Sequence, residues 1–595
     1  MFQTHPRLRA QLMAVAVLTV AALCGPTAAA AHGAPLYGDP LVSVAGIDLQ
    51  TATIPQLEAA MATGRLTSRR LTQAYLARIA FFDHGCVLVN AVRTLTDDAL
   101  AQADAADAAR RAGRSGPLLG IPILLKDNID TTDADTTAGS QALAGNRPPA
   151  DAFLVSRLRA AGAVILGKTN LSEFANWVSL TMPNGYSSLG GQVLDPYTQG
   201  DPSGSSSGSG AGGTLAYAAA TFGTETSGSI LSPSAANSMV GIKPTVGLVS
   251  RSGVIPLAHS YDTAGPIARD VTDAAALLTT VSAPDAADGV FLEAPGGPPS
   301  AHDYTGDLDA GALRGARIGY SPQDVSSYSG DAQVLFQRAL NDMAAAGATL
   351  VPFDTFSDSS AGGLTELGGI PSEFKFGIKD YLANTAGPVG PHGRPQLLSD
   401  DLTGIIVYNQ QHSDRIPYGQ NLLIASDATH GLTLDDPSSA ATIEAARANV
   451  DTAFSQNNLT AYVGANADYA NIGAAAGYPS VDVPIGYTNG TTPMGLQILG
   501  RAWTEPILIG LAYSFEQATH RRIPPTVIDP ALVNCPTATA ATVPAGHDPS
   551  SVVSAATIAT GLPDTAGSGG AAVPIPLLAA TLLGLAVVGR RRSVS

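Results

Sequence analysis

The sequence predicts a layered α/β protein built around one large sheet. Short apolar runs typical of strands alternate with helical patterns over roughly 480 residues. The composition, 45% hydrophobic and 14% charged, supplies enough apolar side chains for a large core. The net charge is −17 and no basic run lies outside the two ends, so nucleic acid is not an expected partner.

Each predicted element of the body follows from its apolar pattern. Residues 51–115 are predicted to be helical, because apolar side chains from Leu66 to Phe82 recur at helical spacing and residues 97–114 are rich in alanine. Strands are predicted at Ile121–Leu125, Ala163–Leu166, 480–485 and Met494–Leu499, helices at 152–161 and 505–520, and further short elements at Tyr217–Phe222, Gly241–Lys243 and Gly247–Val249. Residues 286–440 carry Pro and Gly clusters, and we expect this variable part to shape a pocket.

The N-terminal end is predicted to direct export. Residues 1–31 have early arginines, a short apolar stretch and a run of alanines, typical of a secretory signal peptide cut near Ala29–Ala31. The alternative is an N-terminal membrane anchor, for which the apolar stretch is short. Cys24 would be removed with the signal, which leaves Cys86 and Cys535. Export permits a disulfide between these two, and a pair of free thiols is the alternative.

The C-terminal end combines a short motif, an apolar run and a basic tail. Leu562–Ala566 (Leu-Pro-Asp-Thr-Ala) precedes the apolar segment 571–589 and three arginines that end at Arg592. This order resembles the sorting signal of Gram-positive surface proteins, in which a sortase cuts after the threonine and joins it to the cell wall. Thr565 would be that residue, although Ala566 stands where the usual motif has glycine. A tail anchored in the membrane is the alternative.

These features divide the chain into four parts. They are a signal peptide (1–31), a globular body (45–535), a low-complexity spacer (536–570) that carries the sorting-like motif 562–566, and a C-terminal apolar segment with a basic tail (571–592). We expect a secreted protein that is attached to the cell wall or tethered to the membrane by its C-terminus.

Two motifs match known patterns without the context that their function requires. Gly162–Thr169 fits the phosphate-binding loop letter for letter, but its inner residues are apolar and mostly branched, which predicts a strand. Gly204–Gly208 fits Gly-x-Ser-x-Gly, but no hydrophobic strand leads into it as a nucleophile elbow requires. Histidines such as His259 and His412 are scattered, so no metal site is predicted.

A lysine and two runs of small residues are the candidates for chemistry. Lys126 ends an apolar strand, where burial lowers the pKa of a lysine and prepares it to accept a proton. The first run is Ser203–Ser209 and the second is Gly223–Ile230, in which the backbone N–H groups around Ser229 can point at an oxyanion. Because such runs are usually loops and strand-end lysines are usually solvated, these residues alone only suggest a hydrolase that pairs serine with lysine.

The same residues resemble the amidase signature family. The resemblance covers about 50–525, and its blocks are 120–130, Gly167–Glu173, Ser203–Ser209, Gly223–Ile230, Val240–Thr245, Asp262–Pro266 and Ala476–Pro479. Members of that family fold as an α/β/α sandwich around a mixed sheet and hydrolyse amides through a Ser–cis-Ser–Lys triad without a metal. The resemblance therefore implies that residues 45–535 are such a catalytic domain and that the enzyme needs no cofactor.

The resemblance also implies a role for each site residue. Ser229 would be the nucleophile, Ser205, following a cis peptide from Gly204, would relay its proton, and Lys126 would be the base. The remaining implied roles are an oxyanion hole from the N–H groups of Thr226, Ser227, Gly228 and Ser229, and support of Lys126 by a hydrogen bond from Ser206. The sequence departs from the family where Glu225 replaces the usual aspartate and Leu231 an arginine.

Further residues resemble one branch of this family, the bacterial peptide amidases, which deamidate the C-terminal carboxamides of peptides. They are Glu225, Thr226, the triple serine 205–207, Glu373, Phe374, Asn409, His412 and Gln420. The expected function is hydrolysis of linear carboxamides, of small molecules or of peptides, to carboxylate and ammonia or amine. An esterase or aryl-acylamidase of the same fold and an inactive surface-binding protein remain alternatives, whereas export argues against the family's cytosolic role in tRNA-dependent glutamine formation. The natural substrate and the oligomeric state do not follow from the sequence.

Overall fold

The structure is a computed structural model that describes residues 41–289, 297, 299, 301–353, 369–384, 397, 399–429 and 437–533. The predicted signal peptide, spacer, sorting-like motif and C-terminal apolar segment, together with Cys535, lie outside the described residues, so those predictions and the disulfide stay predictions. Within the described ranges, every helix is too short or too polar to cross a membrane.

A mixed sheet of 11 strands forms the centre of the fold. The strands, with those of two small two-stranded sheets, are β1 (Ser43–Val44), β2 (Ile47–Asp48), β3 (Val92–Leu95), β4 (Pro122–Lys126), β5 (Val164–Thr169), β6 (Tyr186–Ser187), β7 (Gly191–Gln192), β8 (Ala220–Glu225), β9 (Val240–Lys243), β10 (Thr263–Ala268), β11 (Arg317–Tyr320), β12 (Thr349–Pro352), β13 (Ala461–Ala465), β14 (Ser480–Thr488) and β15 (Thr492–Leu499). The large sheet has the order β12-β11-β13-β15-β14-β9-β10-β8-β4-β5-β3. β4 is parallel to β5 and β8, β11 is parallel to β12 and β13, and the other neighbours are antiparallel.

Helices flank this sheet, which confirms the predicted α/β/α sandwich. They are α1 (Ile54–Ala62), α2 (Ser68–Arg78), α3 (Ala99–Arg111), α4 (Phe153–Ala160), α5 (Ser207–Thr214), α6 (Leu231–Ala236), α7 (Val271–Val281), α8 (Pro322–Ser327), α9 (Gly330–Ala345), α10 (Ile370–Asn384), α11 (Leu402–Gln411), α12 (Asn421–Asp427), α13 (Pro437–Asn457), α14 (Ala470–Ala476), α15 (Glu505–Thr519) and α16 (Pro525–Ile528). Local sequence explains several starts: Thr53 and Gln56 form a capping box at α1, and the Asp270 carboxylate accepts the N–H of Asp273 at α7.

Most predicted elements are present with small shifts of their ends. β4, β5, β14, β15, α4 and α15 lie where the apolar patterns place them. Gly162–Thr169 contributes β5 rather than a flexible loop, and its Lys168 side chain is buried and bonded to Ile129 O and Thr136 Oγ1, which confirms the strand interpretation. Gly247–Val249 makes only isolated bridges.

Two regions differ from the prediction. The segment 51–115 includes β3, which the helical pattern hid because this edge strand buries only its first residue fully. The segment 286–440, for which no strand or helix is predicted, contributes β11 and β12 and the helices α8 to α12. Its Pro and Gly clusters flank these short elements and conceal their periodicity.

Two apolar clusters fix the position of the site. The larger one fills the space between the sheet and its helices. The second packs α10 and α11 against loop residues such as Phe174, Leu257 and Tyr261. The loop 255–262 therefore joins the second cluster to β10, which lies directly beside β8 in the sheet.

Candidate active site

Three chain segments meet where β4 and β8 end. These strands are parallel neighbours, so their carboxyl ends lie at the same edge of the sheet, with Lys126 as the last residue of one and Glu225 of the other. The serine run precedes and begins α5, which packs on β8. A lysine, a serine-rich loop and a glycine-containing turn are thereby placed together.

Lys126 bonds directly to Ser205. Its Nζ lies 2.7 Å from Ser205 Oγ and 3.1 Å from the carbonyl oxygen of Thr224, and its side chain is fully buried. Burial lowers the pKa of Lys126 to about 7, while the negative charges of Glu225 and Asp262 act in the opposite direction. A large fraction of the amine is therefore unprotonated at neutral pH, as a general base requires.

Ser205 is held by its backbone. The Gly204–Ser205 peptide is cis, and the Ser205 carbonyl accepts the N–H of Ser172 at 3.1 Å. A Cβ on Gly204 would lie 2.6 Å from Ser172 Oγ, so only glycine fits at this position. The Ser205 hydroxyl is thus held at the amine of Lys126.

Ser229 lies in the third segment. We call Thr226–Ser229 the oxyanion turn; it contains Gly228 in the left-handed region, with φ +77°, where glycine is favoured. The Ser229 carbonyl accepts the N–H of Ser206 at 3.2 Å, which joins this turn to the serine run. Within the described part of the chain, the four N–H groups of the turn and Ser229 Oγ have no hydrogen-bond partner. These donors and this hydroxyl are available to a substrate.

Ser206 differs from its expected role. Its Oγ bonds to the backbone of Thr224, donating to the carbonyl oxygen at 3.2 Å and accepting the N–H at 3.3 Å. Lys126 donates to the same carbonyl, and among the described residues Ser206 has no direct bond to the lysine. The reason is that Ser206 packs against β8, where a Cβ on Gly223 would lie 2.7 Å from its Oγ.

Two side chains from distant segments brace the oxyanion turn. The Thr226 hydroxyl donates to Asp262 Oδ1 at 2.5 Å, and Ser227 Oγ donates to Asn471 Oδ1. Asp262 Oδ2 in turn accepts the N–H groups of Leu257 and Ala258 at 2.8 and 3.0 Å. Burial raises the pKa of Asp262 to about 6, against the effect of these hydrogen bonds.

No sequence pattern assigns a role to Asp262 or Asn471. Asp262 belongs to Asp262–Pro266, one of the segments that carry the family resemblance, and this membership indicates a position near the site. No local pattern in the sequence points to Asn471, because its partner Ser227 lies 244 residues away in the chain.

The other residues noted in the sequence have their hydrogen bonds and ring contacts elsewhere in the described part of the chain. Glu373 Oε2 accepts the N–H of Ser260 at 2.9 Å, and burial raises the pKa of its carboxyl group. Asn409 Nδ2 donates to Gln420 Oε1 at 3.0 Å. The ring of His412 stacks on Tyr408 at the end of α11.

Comparisons with known proteins agree with this arrangement. The family model described as Amidase matches residues 70–388. A protein of Arabidopsis thaliana named probable amidase is 36% identical over 495 residues, which cover 81% of this chain and 92% of that protein. The solved peptide amidase of Stenotrophomonas maltophilia is 42% identical, with a TM-score of 0.74, over 80% of this chain and 98% of its own. An amidase family protein of Bacillus anthracis is 34% identical, with a TM-score of 0.74 and 92% of its chain covered.

Proposed function

The chain belongs to the Amidase family, and we propose that it hydrolyses carboxamides through Ser229, Ser205 and Lys126. The observation that carries this proposal is the 2.7 Å hydrogen bond from the buried Lys126 Nζ to Ser205 Oγ, next to a turn of unbonded N–H groups. Serine is a weak nucleophile at its free pKa, and we assign to the neutral Lys126, acting through the Ser205 hydroxyl, the removal of the Ser229 proton as the substrate is attacked.

The proposed reaction has two stages. Lys126 Nζ takes the proton of Ser205 Oγ, which takes that of Ser229 Oγ as the latter attacks the amide carbonyl carbon. The C–N bond then breaks, the proton passes back through Ser205 to the leaving nitrogen, and ammonia or an amine departs. A water molecule then gives a proton through Ser205 to Lys126 as its oxygen attacks the acyl carbon. The bond from that carbon to Ser229 Oγ breaks, the proton returns through Ser205 to Ser229 Oγ, and the carboxylic acid product leaves and ionises.

The oxyanion turn serves the tetrahedral states of both stages. Preorganised donors lower the energy of an oxyanion most where water is excluded, and each is worth roughly 3–4 kcal/mol in a well-studied protease. Thr226 and Ser227 are fixed by Asp262 and Asn471, so the turn keeps its shape as charge develops. This rigidity supports a catalytic role for the four N–H groups.

We expect peptides that end in a carboxamide to be the best substrates. The support is the 42% identity to a peptide amidase along nearly all of that enzyme's length. Ammonia release should be measured on C-terminal peptide amides and simple aliphatic amides, and release of the aniline or the alcohol should be measured on anilides and esters. The highest kcat/KM is expected for peptide amides, and no hydrolysis is expected for the same peptides with a free C-terminal carboxylate.

Two results would contradict this expectation. A preference for esters or anilides would leave the catalytic machinery in place and change the substrate class. Failure of a fluorophosphonate to label the folded protein, together with the absence of ammonia from all amides, would favour an inactive binding protein.

We further propose that the protein is exported and held by the cell wall. The support is the signal-like segment 1–31 and the order of the motif Leu562–Ala566, the apolar run and the arginines, all outside the described residues. Muralytic digestion of the producing cells should release a chain ending at Thr565. Recovery of a chain that retains Arg592 in the detergent-soluble membrane fraction would support the membrane tether instead.

A further inference from the structure

Glu225 closes the oxyanion turn on itself. Its carboxylate Oε2 accepts the N–H of Ile230 at 2.7 Å and that of Leu231 at 3.0 Å, and the side chain is only 1% exposed. Glu225 immediately precedes the oxyanion turn and Ile230 immediately follows it. The nucleophile Ser229 therefore lies inside a loop whose two ends one side chain holds together.

The second oxygen of this carboxylate is buried. Glu225 Oε1 has no hydrogen-bond partner among the described residues, and neither has either oxygen of Asp482 on β14. Burial, with the charge of Glu225, raises the pKa of Asp482 well above its usual value.

The negative charge of Glu225 acts on two lysines. Glu225 raises the pKa of Lys126 and of Lys243, against the larger lowering caused by burial of each lysine. Lys243 is bonded to the carbonyl oxygens of Pro244 and Tyr478, so it does not neutralise Glu225 by a direct ion pair. Asp262 is the other acid that acts on Lys126.

We propose that Glu225 is a positioning residue whose Oε2 keeps the oxyanion turn closed around Ser229 and whose negative charge acts on the amine of Lys126. This inference rests on the proposed function, because it gives Lys126 and the turn their catalytic roles. It also accounts for the departure at Leu231, since Oε2 binds the backbone N–H there and needs no arginine side chain as a partner.

The test separates the charge from the hydrogen bonds. In Glu225→Gln, the amide oxygen can still accept both N–H groups, and its NH₂ can donate to the unpartnered Asp482 carboxyl group. Removal of the negative charge lowers the pKa of Lys126, so the acidic limb of the kcat/KM profile should move to lower pH by about one pH unit. At the plateau, kcat/KM should stay within about tenfold of wild type. In Glu225→Ala, loss of both hydrogen bonds should lower kcat about 100-fold at every pH.

Glu505 offers a matched control. This buried glutamate also accepts one backbone N–H, that of Thr245 at 2.7 Å, and its other oxygen is unpartnered among the described residues. It is not among the groups that shift Lys126. Glu505→Gln should therefore keep the acidic limb of the kcat/KM profile at the wild-type pH. If the loss of any buried negative charge moved this limb, Glu505→Gln would move it as well.

The outcomes distinguish this inference from the proposed function. If Lys126→Met retains activity, the proposed function fails; if that variant is inactive but Glu225→Gln keeps the wild-type acidic limb, only the role of Glu225 fails. Should Glu225→Gln not fold, Glu225→Asp retains the charge but is one methylene shorter. Its acidic limb should stay in place while kcat falls at least tenfold, and a kcat within twofold of wild type would overturn the role of Oε2.

Discussion

Replacing Ser229 with alanine should abolish amide turnover without disturbing the fold. Loss of a nucleophilic serine costs on the order of 10⁶-fold in kcat where it has been measured in a protease. Ser229 Oγ has no hydrogen-bond partner among the described residues, so Tm should stay within about 2 °C of wild type. Ammonia release and thermal unfolding of the purified variant measure the two effects.

The matched control is another serine of the site region. Ser207 donates to the Ser203 carbonyl at 2.5 Å and has no proposed part in the chemistry, so Ser207→Ala should keep activity within about tenfold. An acyl group trapped on the wild-type enzyme should map to Ser229 by mass spectrometry. An adduct on Ser205 or Ser206 would show that the nucleophile is wrongly assigned.

Replacing Lys126 with methionine should remove most of the activity, because the side chain keeps its apolar stem and loses its base. A general base typically contributes 10²–10⁴-fold, so kcat/KM should fall by about that factor. Lys126→Arg should also fail, since arginine stays protonated at any pH where the enzyme is folded. A loss smaller than about tenfold in the folded methionine variant would exclude Lys126 as the base.

The pH dependence of the wild-type enzyme follows from the same residue. The pKa of Lys126 is lowered to about 7, and only the neutral amine accepts a proton. Activity should therefore be low in acid, rise as the pH passes through about 7, and level off above it. In Lys126→Met, the residual activity should not show this rise with pH. That result would distinguish the titration of Lys126 from the titration of Asp262 or Glu373.

Local sequence predicted the buried centre of the fold better than its edges. β4 lies inside the sheet, and its residues Ile123, Leu124 and Leu125 are apolar without interruption, so its pattern is unambiguous. β11 and β12 lie at one edge of the sheet, and β12 has no fully buried residue. Their sequences carry too little apolar periodicity to be distinguished from the loops around them.

The residues of the candidate site also differ in how far local sequence predicts them. Lys126 and the two small-residue runs are local features, and the structure brings Lys126 Nζ within 2.7 Å of Ser205 Oγ. The braces of the oxyanion turn depend on Asp262 and Asn471, which are 36 and 244 residues from their partners. Pairings over such distances are decided by the strand order of the sheet, which no local pattern specifies.

That strand order has a consequence for how the protein is made. β13, β15 and β14 lie between β11 and β9, so residues 461–499 occupy the middle of a sheet whose flanking strands are synthesised much earlier. Until these residues leave the ribosome, β9 and β11 each expose an unpaired edge, and such edges favour pairing with other chains. The sheet can therefore close only after roughly five-sixths of the chain has been translated, and the two open edges are the sites at which premature association is expected.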